Sequence, residues 1–271
     1  MHYLYLFFAG IAGGFIAGFL GGGGGIIYVL VLPWALRSVI DVDAGELATL
    51  TVANSLFSMV FTTFSGNIAQ FRLKNFYIKE VLLVGIPGAL VSILLMKYFV
   101  STEYYSPWFF NSIIVLLLLF AVVQALLEKP PSQKDFPGEY NTVQLNTSGI
   151  LAGSISAVSG LGGGVVLIPM LKIWFKMGIK RAKSISLGMI FITTLALSVF
   201  NLLLPAKTHD YSIGLIVFPV VLPILAGVLV SSPAGVLISH KVSSRTINKV
   251  FLIFMTIVLI KKVVDLVLTL L

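Results

Sequence analysis

The stretch GFLGGGGGIIYVLVLPW, residues 18–34, places five consecutive glycines inside one of the most apolar segments of the chain. A glycine in a helix interior costs about 1 kcal/mol relative to alanine. An uninterrupted helix through this run is therefore disfavoured. The sequence predicts a break in the backbone here, with a turn between two half-helices.

Composition identifies the environment of this break. Of the 271 residues, 58% are hydrophobic and only 10% are charged, and the mean hydropathy is +1.05. Soluble domains carry about 25% charged residues, so we expect an all-α integral membrane protein. The apolar segments are longer than the alternating strands of an outer-membrane barrel. The first segment lacks a basic region and is interpreted as a membrane segment, not as a cleaved signal.

Eight apolar segments are predicted, at 2–36, 47–70, 80–99, 107–127, 145–175, 184–204, 211–239 and 247–270. About 20 residues cross the hydrocarbon core, so most of these segments fit one crossing. Segments 2–36 and 145–175 are too long for one ordinary helix, and both carry a glycine cluster near the middle.

These two long segments resemble each other. A shift of 139 positions sets Gly10–Val31 over Gly149–Met170 with 8 identities in 22 positions. Three apolar segments follow each glycine block. The chain is therefore predicted to consist of repeat one (1–127), a linker (128–144) and repeat two (145–271), in a single membrane domain. Internal repeats of this kind are typical of transporters.

Charge indicates that the two repeats are inverted. Lys and Arg favour the cytoplasmic side of a membrane. In repeat one the successive loops are poor, rich and poor in basic residues, and in repeat two they are rich, poor and rich. All basic loops lie on one side if each glycine segment returns to the side from which it entered. We expect two inverted repeats, each a glycine-broken helix or hairpin followed by three transmembrane helices.

Two glycine breaks that face each other favour an anion site. A helix that starts just after a break directs its free N–H groups and positive dipole end towards the break. Such ends bind anions without a buried cation. The expected backbone site residues are Gly21, Gly23, Gly24, Gly25, Gly160, Gly162, Gly163 and Gly164. Gly22 lies opposite Leu161 and is expected to tolerate change.

Polar side chains near the breaks are further candidates, because amide and hydroxyl donors suit an oxyanion. Those selected are Asn54, Ser55, Ser159, Ser184 and Asn201. Each is also a candidate for an ordinary interhelical hydrogen bond. The spaced small residues before each cluster are interpreted as helix-packing positions. These are Gly10, Gly14, Gly18, Gly149, Gly153 and Ala157.

Catalysis is not expected. The chain has no cysteine, its three histidines lie at segment ends, and no HExxH motif or paired intramembrane aspartates are present. We therefore predict no enzyme activity, no metal and no cofactor. The net charge of +8 is interpreted as basic loops at the lipid surface, not as nucleic-acid binding.

The double glycine block resembles the TauE/SafE sulfite exporter family. Residues 18–33 and SAVSGLGGGVVLIPML, residues 156–171, are similar to its two signature blocks, and the resemblance covers nearly the whole chain. The resemblance implies transport of sulfite, organosulfonates or related small anions. The family commonly has Thr-Ser-Leu in the helix after each glycine block. At the corresponding places this chain has Asn54-Ser55-Leu56 in repeat one and Lys183-Ser184-Ile185 in repeat two.

The favoured function is thus a secondary transporter, or permease, for a small organic or sulfur-containing anion in the cytoplasmic (inner) membrane. Its expected partners are the anionic substrate and the lipid bilayer; whether the chain forms a homo-oligomer is not decided by the sequence. Two alternatives are an anion channel and a non-transporting membrane scaffold.

Overall fold

The computed structural model describes residues 2–100, 102, 105–127, 140–204 and 211–270, and these form ten α-helices and one short β-ribbon. The first half contains α1 (His2–Leu20), α2 (Gly25–Val39), α3 (Ala44–Arg72), α4 (Ile78–Leu95, extended by a π-helical turn Met96–Val100) and α5 (Pro107–Leu127). The second half contains α6 (Thr142–Ser159), α7 (Gly164–Ile173), α8 (Ile179–Leu203), β1 (Ser212–Ile213), β2 (Ile216–Val217), α9 (Phe218–Lys241) and α10 (Ser244–Leu270).

The predicted all-α membrane fold is confirmed. Five of the described helices are long and apolar enough to cross a membrane. Large apolar side chains remain exposed on their outer faces; in α4 these recur every four residues, at Leu82, Ile86, Leu90 and Leu94. Such a face is unsuited to water and suited to lipid. The predicted linker lies mostly outside the described residues.

One predicted segment, 211–239, does not form a single helix. It begins with the antiparallel ribbon of β1 and β2, and α9 starts only at Phe218. Gly214, with φ of 55°, allows the tight turn between the two strands. The Asn54 side chain accepts a hydrogen bond from the Val217 N–H and so holds the ribbon against α3. Because the segment is apolar almost throughout, its sequence gives no sign of this contact between the ribbon and α3.

The two halves pack as equivalent units. Helix α1 packs along α9 and helix α6 packs along α4, while α3 contacts α8 and α5 contacts α10. If each helix is replaced by its equivalent in the other half (α1 by α6, α4 by α9, and so on), the same pairs of neighbours result. The packing therefore has the pattern of a two-fold relation between the halves, and inversion of the two repeats across the bilayer remains a prediction.

Small residues allow the closest of these packings. A Cβ atom on Gly10 or Gly14 would collide with α9, and one on Gly149 or Gly153 would collide with α4. Glycine at four-residue spacing lets two helix backbones approach directly. The packing interpretation of these positions is confirmed.

Each glycine segment forms a hairpin. The ring of Tyr5, near the start of α1, lies 5.3 Å from the ring of Trp34, near the end of α2. The chain therefore returns to the end of the bundle from which it started. The sequence predicts two half-helices around each break, and this is wrong for the helix before the break. Helices α1 and α6, which precede the breaks, have 19 and 18 residues, whereas α2 and α7, which follow them, have 15 and 10. Only the helix after each break is short.

The basic loops gather at one end of the bundle. Lys180 donates to the backbone oxygen of His240, and His240 contacts the Gln70 side chain. Arg181 pairs with the buried carboxylate of Glu80, which also accepts from Tyr140. These contacts join the loop after α3, the start of α6, the start of α8 and the end of α9. This arrangement agrees with the layout inferred from the charge pattern.

Candidate functional site

The two glycine breaks meet at the middle of the long central helices α3 and α8. A Cβ atom on Gly25, the first residue of α2, would lie 2.7 Å from the carbonyl oxygen of Gly160. A Cβ atom on Gly164, the first residue of α7, would lie 3.1 Å from the carbonyl oxygen of Gly21. Each break thus approaches the first residue of the helix that follows the other break.

The backbone conformation explains why glycine occupies these positions. Six residues of the breaks have φ between 66° and 84°, namely Gly21, Gly23, Gly24, Gly160, Gly162 and Gly163. Residues with a Cβ adopt this left-handed region at a cost of roughly 1–2 kcal/mol each. The sequence of left-handed glycines turns the chain from one helix into the next within a few residues.

Both breaks present backbone donors. Within the described part of the chain, no acceptor is found for the N–H groups of residues 22–26 or of residues 162–165. The first N–H groups of α2 and α7 belong to these two sets, and neither helix has a side-chain cap. Buried N–H groups are nearly always paired in folded proteins. Unpaired donors at two facing helix ends therefore suit a small oxyanion.

A reciprocal pair of hydrogen bonds links the breaks to the central helices. Ser55 of α3 donates to the Gly160 carbonyl at 2.8 Å, and Ser186 of α8 donates to the Gly21 carbonyl at 2.9 Å. Both hydroxyls orient a carbonyl group of the opposite repeat. These bonds hold the break of each half through a helix of the other half.

Sequence reasoning missed Ser186. The structural partner of Ser55-Leu56 is Ser186-Leu187, whereas the sequence match had selected Ser184. The Ser184 hydroxyl donates instead to the backbone oxygen of Asn75, at the basic end of the bundle. The repeated Ser-Leu pair was the available signal.

Two apolar side chains contact both breaks at the centre. Cβ atoms on Gly23 and on Gly162 would each lie within about 3.2 Å of side-chain atoms of Met59 and of Ile190. Met59 lies near the middle of α3 and Ile190 near the middle of α8, and both are fully buried. The Met59 sulfur and the Ile190 methyl groups thus lie next to both breaks.

The other predicted polar residues have different surroundings. The Ser159 hydroxyl donates to Ile155 in its own helix and accepts from the Leu161 N–H, so it braces the second break. The Asn54 amide is occupied by residues of the ribbon and by Leu50. Asn201 is fully buried, and both its side-chain atoms lack a partner among the described residues. Its backbone oxygen accepts from Leu215, which places it beside the ribbon.

Two cavities flank the site at equivalent places in the halves. The first, with a volume of about 360 Å³, lies between α2, α3, α5 and α10 and has Arg37, Lys261 and Lys262 in its wall. The second, of about 20 Å³, lies at the corresponding place in repeat two. Leu30, Trp34, Asn111 and Lys261 of the large cavity correspond to Pro169, Ile173, Asn248 and Gln124 of the small one. The two cavities thus differ strongly in volume although they are lined by equivalent positions.

In the described ranges, no group of three or more His, Cys, Asp or Glu residues comes together. The arrangement offers backbone N–H donors, hydroxyls and nearby cations. Groups of these three kinds are suited to contact with a small anion.

Comparison with known proteins identifies the family. The model of the family described as "Sulfite exporter TauE/SafE" matches residues 6–262. A probable membrane transporter protein of Methanocaldococcus jannaschii is 27% identical over 240 residues, covering 86% of both chains. The probable membrane transporter protein YunE of Bacillus subtilis is 24% identical over 275 residues, covering 95% of this chain and 96% of its own.

A third relative, a probable membrane transporter protein of Haemophilus influenzae, is 26% identical and covers 93% of this chain and 94% of its own. These relatives are named as transporters, not enzymes, and each aligns over nearly its full length. The family match extends through both glycine breaks and includes all or most of each described helix. This multi-pass membrane transporter therefore belongs to the sulfite exporter TauE/SafE family.

Proposed function

We propose that the chain is a secondary transporter that moves a small sulfur-containing or carboxylate anion, such as sulfite or a C2 sulfonate. The observation that carries this proposal is the contact between the two breaks, with backbone donors free on both sides. The bound oxyanion accepts from the N–H groups at the starts of α2 and α7 and is held near the middle of the bundle. Glycine lets the backbone itself approach the anion.

Unequal cavities support an alternating mechanism. The anion enters through the large cavity beside repeat one, where Arg37 and Lys261 attract it, and reaches the central breaks. It leaves when the equivalent cavity of repeat two opens and the first one closes. Inverted repeats produce such an exchange, because each half can adopt the packing of the other.

An anion channel is the second candidate, and the same cavities argue against it. A channel in its conducting state needs an open route on both sides of the constriction at once. Here the route beside repeat two is reduced to about 20 Å³. The scaffold alternative does not fit a chain whose relatives are named as transporters.

Orientation follows from the basic end of the bundle. The loops carrying Arg72, Lys180 and Lys241 meet there, and by the positive-inside rule they face the cytoplasm. In that orientation the large cavity opens to the outside and the protein lies in the cytoplasmic membrane. A homo-oligomer is not required, because both breaks belong to one chain.

The test is flux in proteoliposomes that contain the purified protein, with labelled sulfite, sulfoacetate and acetate as probes. We expect saturable uptake of at least one anion, acceleration by the same anion on the opposite side, and no uptake in protein-free liposomes. Non-saturating flux without exchange would favour the channel. Absence of flux for all three probes would contradict the proposed substrate class.

A further inference from the structure

Lys183 is a buried lysine beside the first break; in the sequence it belongs to the Lys183-Ser184-Ile185 match and is not among the predicted site residues. It is 1% exposed, although it lies in the second turn of α8. Among the described residues it has no hydrogen bond and no ion pair, and its Nζ lies 5.7 Å from the centre of the Phe19 ring. A lysine that snorkels extends its head group into bulk water, whereas only 1% of the surface of Lys183 is exposed.

The position of Lys183 places it directly on the glycine break. A Cβ atom on Gly21 would lie 2.9 Å from Lys183 Cα and equally close to its Cγ. The adjacent Gly22 is buried, yet nothing lies within 4 Å of the place where its Cβ would be. The first carbons of the lysine side chain therefore pack against a stretch of backbone that has N–H groups without acceptors and unfilled space beside Gly22.

The second break has no charged residue at the place equivalent to Lys183. There the residue packed on Gly160 is Val52 of α3, whose Cα lies 3.1 Å from the Cβ position of that glycine. The position equivalent to Gly22 holds Leu161, which is 1% exposed. One break thus has a cation and free space, and the other has two apolar side chains.

Other buried charges of the described chain have partners. Lys262, which is 3% exposed, donates to the Asn111 side chain at 3.2 Å and lies near Asp265. Glu80 pairs with Arg181. Lys180, one turn before Lys183, donates to the His240 carbonyl and adds positive potential near it. A buried ammonium without a counter-ion is strongly unfavourable, so an anion bound beside it would gain a strong charge-assisted contact.

We propose that the partner of Lys183 is the substrate: its ammonium pairs with the anionic group held at the first break. This inference rests on the proposed function and adds a charged, specificity-determining residue to a site otherwise built from backbone donors. An ammonium together with backbone N–H groups favours sulfonate, sulfite or carboxylate over neutral solutes of the same size. Because Lys183 of α8 lies beside the first break and the second break has Val52 at the equivalent place, the anion binds off the two-fold axis, on the side of Gly21.

The experiment compares wild type, Lys183→Met and Lys183→Arg in two assays, with labelled sulfite, sulfoacetate and acetate as flux probes. Loss of a charge-assisted contact is expected to raise KM for the transported anion by roughly 10- to 100-fold in Lys183→Met. Lys183→Arg keeps the charge and should stay within a fewfold of wild type. Exposed Lys241, at the same basic end, supplies the control Lys241→Met, which should transport as wild type does.

The second assay is thermal unfolding without anion, and it separates binding from structural support. Removing an uncompensated buried charge should raise the unfolding temperature of Lys183→Met by a few degrees. Lys262→Met loses a paired lysine and should unfold at a lower temperature. The anion concentration that gives a fixed rise in unfolding temperature, measured with the same three probes, should be higher in Lys183→Met by about the factor seen in KM.

Failure of this inference and failure of the proposed function give different results. If wild type transports an anion and Lys183→Met keeps its KM, the lysine does not pair with substrate. A lower unfolding temperature for Lys183→Met, or a Lys183→Arg variant as weak as Lys183→Met, would also overturn the inference. If wild type transports none of the three probes, the proposed substrate class fails, and the role of Lys183 fails with it.

Discussion

The two glycine breaks have nearly the same backbone and different surroundings. Both use left-handed glycines, both precede an uncapped short helix, and both receive a serine hydroxyl from the opposite half. Around the first break lie a buried lysine and space beside Gly22; around the second lie Val52 and Leu161. The two breaks are therefore alike in the backbone that makes the turn and different in the side chains that surround it.

The largest effect is expected at the residues that precede the short helices. Gly24 and Gly163 have φ of 81° and 72°, and a Cβ on either would press against the carbonyl oxygen of the preceding helix, at Gly13 or Ala152. Leucine at either position should abolish flux and lower the yield of folded protein. Alanine should produce a milder form of the same defect in both repeats.

Flux and size-exclusion profiles of the two leucine and two alanine variants check this prediction. The matched control is Gly45→Ala, because that glycine lies in the first turn of α3 with open space around it. Full transport by Gly163→Leu would show that the second break has no role in the site.

The next effect tests the reciprocal hydrogen bonds. Ser55→Ala and Ser186→Ala each leave a buried carbonyl of the opposite half without its donor. Each substitution should destabilise the protein by about 1–3 kcal/mol, and the two losses should be similar. Thermal unfolding of both variants measures this, with Ser154→Ala as a control whose hydroxyl bonds only within its own helix. Strongly unequal losses would contradict the equivalence of the two breaks.

Cysteine labelling tests the inequality of the two cavities. The chain contains no cysteine, so single substitutions can be labelled without a background. Ala48 lines the large cavity and Ile179 holds the equivalent place in the small one. Ala48→Cys should react with a small water-soluble maleimide about tenfold faster than Ile179→Cys in the absence of substrate. Equal rates would show that both routes open together, as in a channel.

The smallest effect is expected at Gly22. Its φ is not in the left-handed region and nothing lies within 4 Å of its Cβ position, so alanine fits without strain. Gly22→Ala should change the stability by less than about 0.5 kcal/mol. Gly22→Leu, which copies Leu161 into the first break, should fill the adjacent space and weaken anion binding while the protein still folds. Thermal unfolding with and without sulfite distinguishes the two effects.

Much of the fold could be predicted because membrane segments depend on local composition. The helix ends lie within a few residues of the predicted limits for most segments, and the glycine-packed face of α1 follows from its four-residue spacing. The ribbon before α9 could not be predicted, because its stability depends on Asn54, far away in the sequence. Side-chain candidates were less reliable for the same reason.

The sequence by itself determined the membrane environment, the two breaks and the repeat, since each depends on residue type and local spacing. Only the tertiary structure decided which side chains reach the breaks. Helix α2 has 15 residues and α7 has 10, so one shift cannot align both the glycine blocks and the helices that follow them. Packing of α3 against α8 sets that register: it brings Ser186 to the first break, sends Ser184 to the basic end, and leaves Lys183 buried against Gly21.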